Sequence, residues 1–433
     1  MQHIQGISRH QLQMSSLEDK ITADNPVRFI DAFVNHIDPV KIGFQPKILK
    51  TEGRPNFRLE VFLKLYLYGY LNGVRSSRRL EKECFRNIEV QWLLEAIYPN
   101  YHSIADFRKD NPKALKQLFK LFVSFLKDAE LIAGDTIAID GTKSRAHNSK
   151  KANYNQKKID KHKEYIQAKS QEYLDQLDQN DIQENPVAIK NIQQKIERLK
   201  QNKIKYELLE EELKNSREPQ ISTTDADARA LLVQGQVVEV SYNIQAAVDS
   251  KHNLVVATHT INRNDKNALT AIALEVKENL ALETFTVLVD KGYHNGRELH
   301  TCKQNNITTI VAVPEQGKSN ENGTQPEYLV SKFIYNKENN SYTCPEGKTL
   351  TTTGSWHKKT GRTEESGYNF QKYRTPACKT CLVKDLCTSR NGGREIDRSQ
   401  YADAVEENHQ RYKDNPQLYR KRQEINEHIF GTI

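Results

Sequence analysis

Two short apolar, β-branched runs each close on an aspartate: Thr136-Ile137-Ala138-Ile139-Asp140 and Phe285-Thr286-Val287-Leu288-Val289-Asp290. Runs of this length and composition read as strands. The Gly141 and the Lys291-Gly292 that follow predict that each strand stops there and presents its carboxylate at a sheet edge. Further strand signals lie at Val237 to Val240, Tyr242 to Val248, Leu254 to Thr260 and Thr308 to Val313, with helical spacing at Asn267 to Asn279 and Gly296 to Asn305. This alternation specifies an α/β fold built on a mixed sheet.

One carboxylate at a strand end is ordinarily a cap or a turn former. Two in near-identical contexts, joined by Glu427 from a basic helical stretch near the C-terminus, form a set able to hold a pair of divalent ions, which drive in-line displacement at phosphodiesters. Glu424 lies on the same helix and stays open as the third carboxylate. A nucleic-acid-processing enzyme follows as the first expectation.

The stretch from Leu17 to Leu131 reads as helical. Leu59, Val61, Phe62, Leu65 and Tyr66 keep helical spacing between Arg58 and Tyr70; Gly73 breaks that helix, and Ser76-Ser77 offers a cap for the next. Further helices are predicted at Ser103 to Arg108, stopped near Asn111-Pro112, and at Lys113 to Ala129. Short helices and tight turns bearing Arg78 and Arg79 suit a helix-turn-helix-like DNA-binding module, with a plain helical bundle as the alternative. From Lys143 to Ser216 the chain is almost entirely polar. Ile189, Ile192, Ile196, Leu199, Tyr206, Leu209 and Leu213 keep a roughly heptad-like spacing, which predicts a helical hairpin inserted into the fold, interrupted near Asn185-Pro186. Tyr401 to Phe430 reads as helix again.

The 433 residues carry a formal charge of +8 and a pI near 8.9. Basic residues crowd Arg75 to Lys82, Lys143 to Lys169 and Arg411 to Arg422, as phosphate-facing surfaces or as solvated helix faces. No run is long enough to span a membrane and no apolar signal core opens the chain, so a cytoplasmic protein is expected. Cys344, Cys378, Cys381 and Cys387, four of the six cysteines, fit a structural Cys₄ zinc ribbon that staples a segment too polar to build its own core. Reduced thiols are the alternative, and the expected state of Cys84 and Cys302.

Ile139-Asp140-Gly141-Thr142-Lys143, Asp290-Lys291-Gly292-Tyr293 and the stretch Tyr419 to Ile433, with Glu427 to Gly431 at its centre, resemble the three acidic motifs of bacterial insertion-sequence DDE transposases. The resemblance implies a ribonuclease H-like core at 132–433, interrupted by a helical insertion at 144–220 and a zinc-ribbon-like segment at 335–395, after an all-helical DNA-binding domain at 1–131. It implies that Asp140, Asp290 and Glu427 are catalytic and hold two Mg²⁺ or Mn²⁺ ions. Arg422 becomes a phosphate-contacting partner of the third motif, with Lys143 and Lys291 beside the first two. The implied partners are the terminal inverted repeats and target DNA, engaged by a homodimer or larger assembly. Thr223 to Arg229 resembles a further motif whose Asp225 and Asp227 order the active site or donor DNA, or simply form a turn; Asn264-Asp265 invites the same two readings. Tyr293 and His294 lie near bound DNA or pack the turn. The rivals are a nuclease or resolvase without strand transfer and a DNA-binding relic that represses. The family continues past the third motif with a lysine and further helix, whereas this sequence stops at Ile433, and a truncated chain is therefore expected.

Overall fold

Apolar residues recurring every three or four positions make the regular elements of the first unit helices, among its described residues. Pro26 starts helix α1 (Pro26–His36), where its missing N–H costs nothing, and Asn25 Oδ1 caps it by accepting from Val27 N at 3.0 Å. Then come α2 (Leu59–Leu71), α3 (Ser77–Arg86), α4 (Ile88–Leu93), α5 (Tyr101–Asp110) and α6 (Pro112–Asp128). Helix α2 is buried on nearly every side, through Val61, Phe62, Leu63, Leu65, Tyr66 and Tyr68, and is the centre of this core. Ser76 precedes α3 without making a side-chain cap, whereas Asn87 and Asn100 do cap α4 and α5. The computed structural model describes residues 8–432, apart from 9, 13, 46–54, 148, 183–185, 217, 234–236, 315–323 and 362–366. Residues 1–125 and 126–433 form two compact units.

The second unit opens with β1 (Thr136–Arg145), β2 (Asn153–Tyr154), α7 (Gln156–Ile182), α8 (Pro186–Ser216) and β3 (Ile221–Ser222). It continues with β4 (Arg229–Val233), β5 (Val237–Asp249), β6 (Val255–Ile261), α9 (Leu269–Asn279), β7 (Phe285–Val289), α10 (Gly296–Gln304) and β8 (Ile307–Val311). Strand β1 is antiparallel to β5 on one side and parallel to β7 on the other, β8 extends the parallel side, and β4 and β6 share the outer edge of β5. Three antiparallel strands followed by two parallel ones, with β1 in the middle, make a ribonuclease H-like core. Parallel strands need crossover helices, and α9 and α10 supply them.

Four expectations change. Strand β1 does not stop at Asp140 but runs on to Arg145, because β5 opposite it is one unbroken strand and keeps offering ladder partners as far as Ser241. Gly141 sits there for space: a Cβ would lie 2.4 Å from Gln245 Nε2 and 2.7 Å from Asp265 Oδ1. The helix foreseen from Tyr401 to Phe430 is two, α12 (Ala402–Asp414) and α13 (Pro416–Thr432), since Pro416 cannot continue α12. The cysteine-bearing segment is not coreless. Strands β9 (Ile334–Asn336), β10 (Ser341–Thr343), β11 (Thr349–Lys359), β12 (Tyr368–Arg374) and β13 (Ile396–Ser399) form an antiparallel sheet over Phe333, Tyr342, Leu350, Tyr373 and Ile396, with α11 (Lys384–Cys387) before the last strand.

The polar insertion forms the expected helical hairpin of α7 and α8. Its base packs Tyr154, Ile159, Leu209, Leu213 and Ile221 around the small β2–β3 ladder. Residues 183–185, where the interruption was expected, lie outside the described residues. Among the described residues no helix is long and apolar enough to cross a membrane.

Candidate active site

Parallel pairing of β1 with β7 brings the two strand-end aspartates to the same side of the sheet although 149 positions separate them in sequence. Asp290 directly follows β7 and caps the turn after it, its Oδ1 accepting from Gly292 N at 2.7 Å. Asp140 Oδ1 accepts from Gly141 N at 2.8 Å, and Asp140 Oδ2 pairs with Arg422 Nη1 of α13 at 3.2 Å. Burial pushes the Asp140 carboxyl above its ordinary value; the Gly141 N–H and Arg422 oppose this, while Asp290 and Asp265 push it further up. These three carboxylates therefore share one field.

Asp265, just after β6, is the member that sequence reasoning left undecided. Its Oδ1 accepts from Asn243 Nδ2 at 2.8 Å and Gln245 Nε2 at 2.9 Å, and Lys143 Nζ lies 3.3 and 3.2 Å from its two oxygens. Burial alone would raise its pKa, but the two amides and Lys143 hold the carboxyl below the ordinary value. Asn243 and Gln245 are fully buried. Their spacing was visible in the sequence: two amides two positions apart in a strand share one face, and once buried they need polar partners there. Lys143 thus answers a carboxylate, and its side chain is only 15% exposed, whereas Lys291 is exposed beside Asp290. Tyr293 faces inward: it is fully buried and its hydroxyl donates to Gln245 Oε1.

Glu427 and Glu424 are both exposed on α13, and five residues at about 100° each set Glu427 roughly 140° around the helix from Arg422. Asn426, only ~40° from Arg422 by the same geometry, is 2% exposed and neither its Oδ1 nor its Nδ2 has a partner. Among the described residues no three His, Cys, Asp or Glu side chains converge as a ready-made metal site. The donor chemistry nevertheless suits a hard cation: Asp140 feels the charges of Asp290 and Asp265, while Lys143 pairs with Asp265 and Arg422 with Asp140.

Cys344, Cys378, Cys381 and Cys387 line one cavity of about 30 Å³. Cys344 Sγ accepts from Lys348 N at 3.3 Å. Gly393, at φ +90°, lets the chain pass so close that a Cβ would lie 2.3 Å from Cys378 Cβ. Burial pushes the Cys387 thiol up, Arg394 pulls it down, and the other three thiols push it up again. Cys84 and Cys302 are buried free thiols, both pushed up to about 12 by burial.

Asp225 accepts from the Tyr242 hydroxyl at 2.6 Å, and the chain from Ala226 to Ala228 turns around the buried Arg229, whose guanidinium donates to the Ala226 and Ala228 carbonyls. In the helical unit Arg79 is exposed and Arg78 stacks 5.0 Å from the Tyr101 ring.

Residues 15–110 match the family described as a transposase domain (DUF772), and residues 343–433 match the transposase DDE domain. The matched stretches contain Arg78, Arg79, the four clustered cysteines, Arg422 and Glu427; Asp140, Asp265 and Asp290 lie outside both. No curated protein and no solved structure matches the chain.

Proposed function

Because the chain belongs to the insertion-sequence DDE transposases, we propose that it cuts the ends of its element and joins them to target DNA, using Asp140 and Asp290 as the central carboxylates. The observation that carries this is their placement on adjacent parallel strands, one carboxylate already paired to Arg422. Two Mg²⁺ or Mn²⁺ ions, held by Asp140, Asp290 and Glu427, would supply activation of the attacking oxygen and stabilisation of the leaving one.

The chain's own groups have distinct tasks. Arg422 pairs with Asp140 and is the cation that would meet the scissile phosphate beside it. Lys291, exposed beside Asp290, contacts the backbone of the same strand. Arg78 and Arg79 give the helical unit salt-dependent phosphate contacts, while base recognition at the terminal repeats comes from its helices. The four cysteines, which line one cavity, are the residues that would hold one structural zinc through their thiolates. The protein acts in the cytoplasm on double-stranded DNA, as a homodimer or larger assembly on paired ends.

The test is purified protein with Mn²⁺ and a labelled element end. Cleaved and joined products are expected, and Asp140→Ala or Asp290→Ala should abolish both while DNA binding persists. Cleaved ends that never join would make the protein a nuclease; a mobility shift without any cleavage would make it a DNA-binding repressor.

A further inference from the structure

Two carboxylates that share a metal pair must stay in register to a few tenths of an ångström, and nothing in the sheet ladder fixes the turn after Asp290 relative to Asp140. Strand β7 ends at Val289, so Asp290 and the turn Lys291–Tyr293 lie beyond the last backbone pairing. A side-chain path bridges that gap. The Tyr293 hydroxyl, inside the turn, donates to Gln245 Oε1, and Gln245 Nε2 donates to Asp265 Oδ1 at 2.9 Å. Asp265 also takes Asn243 Nδ2 and Lys143 Nζ. Gln245 and Asn243 stand directly opposite Gly141 and Lys143 in the β1–β5 ladder. The path therefore begins three residues past Asp290 and ends on the two residues that flank Thr142, just beyond Asp140.

Each link has a defined direction. Tyr293 can only donate towards Gln245 while it keeps its proton, and the Asp265 carboxylate can only accept, so the Gln245 amide is fixed with its oxygen to the phenol and its nitrogen to the acid. Asp265 is the hub: one carboxylate receives three side chains from two strands, and Lys143 balances its charge. The absence of a Cβ at Gly141 is what lets the hub approach the β1 backbone, since a methyl there would overlap both Gln245 and Asp265.

We infer that Asp265 is a positioning residue, which through Gln245 and Tyr293 locks the Asp290 turn to the strand bearing Asp140 and so sets the spacing of the metal-holding pair. This rests on the proposed role of Asp140 and Asp290. Outer-shell groups of this kind are worth about 10–100-fold in metal affinity when removed.

The test counts free Mn²⁺ by electron paramagnetic resonance during titration of the full chain, with no DNA present. Asp265→Asn keeps the shape but puts an amide NH₂ among three donors; Tyr293→Phe removes a single hydroxyl and serves should the first variant fail to fold. Each should weaken Mn²⁺ binding about 10-fold with an unchanged far-ultraviolet dichroism spectrum. The double variant should be little worse than either single one, because both cut one path. Mn²⁺ binding at wild-type strength in both single variants, or losses that add in the double variant, overturns the inference. Asp140→Asn separates the two ideas. If it loses Mn²⁺ while Asp265→Asn does not, only the positioning role fails; if the wild type takes no Mn²⁺, or Asp140→Asn binds it normally, the metal-site reading fails and the inference with it.

Discussion

The smallest group at the site does the most to shape it. Gly141 stands where β1, Gln245 and Asp265 meet, and Gly141→Ala places a methyl inside contact distance of both side chains. Overpacking of this kind costs about 1–3 kcal/mol, and the displaced parts are the ones that hold Asp140. Gly141→Ala should therefore lower the melting temperature and reduce DNA cleavage more than it reduces DNA binding, read by gel shift and cleavage on one substrate. A glycine after an aspartate suggested a turn in the sequence; its actual use is closeness, which only the opposite strand reveals. Asp140 and Asp290 were legible because their local context, an apolar run ending in an acid, is enough to place them. Asp265 was not, for its meaning comes from Asn243 and Gln245 on another strand and from Lys143 on a third segment.

Among the elements, α13 and the β9–β13 sheet carry the sharpest expectations. Asn426 is buried on α13 with an unpartnered carboxamide, and an unsatisfied polar group of that kind costs ~1–3 kcal/mol. Asn426→Leu should raise stability by about 1 kcal/mol on that account, seen as an upward shift of the melting temperature; a decrease would mean that the amide finds a partner when the protein is in solution. In the sheet, Lys372, Arg390 and Arg374 converge on Glu395, with Lys372 the strongest influence, and hold its carboxyl down to about 2 from an ordinary 4.5. A depressed carboxyl stabilises the folded state above its unfolded value and loses that contribution as pH falls through the window from 4.5 towards about 2. Thermal melts across that window should show the loss in the native chain and a flatter profile in Glu395→Gln. The strands of this sheet were not foreseen one by one, since Thr, Lys and Gly dominate their exposed faces and only one buried side chain in several marks the inner one. Strands β7 and β8 were plain because they are buried almost throughout and read as continuous apolar runs.

At the scale of the whole molecule, the prediction concerns the metal that holds one region and not the others. Elemental analysis should give one zinc per chain, and chelation should disorder the β9–β13 region, exposing it to protease while the helical unit keeps its dichroism signal. A zinc content of zero would leave four reduced thiols lining one cavity. Sequence alone conveyed a helical start, a mixed core, an inserted hairpin and a cysteine-bearing segment, because composition changes sharply between them, but not that the last of these is a sheet with its own core. It did not convey which acids face one another, since that depends on the twist of a sheet and on the rotation of α13 about its own axis.

The α7–α8 hairpin leaves and re-enters the core beside the short β2–β3 ladder, with Asn153 opposite Ser222 and Tyr154 opposite Ile221. The two ends of a long excursion are thus one strand spacing apart. Closing that gap by a tight turn would alter neither β1 nor β5. The fold therefore has a port at which material can be gained, lost or exchanged over evolutionary time, or grafted by an engineer, while the carboxylate-bearing strands stay as they are.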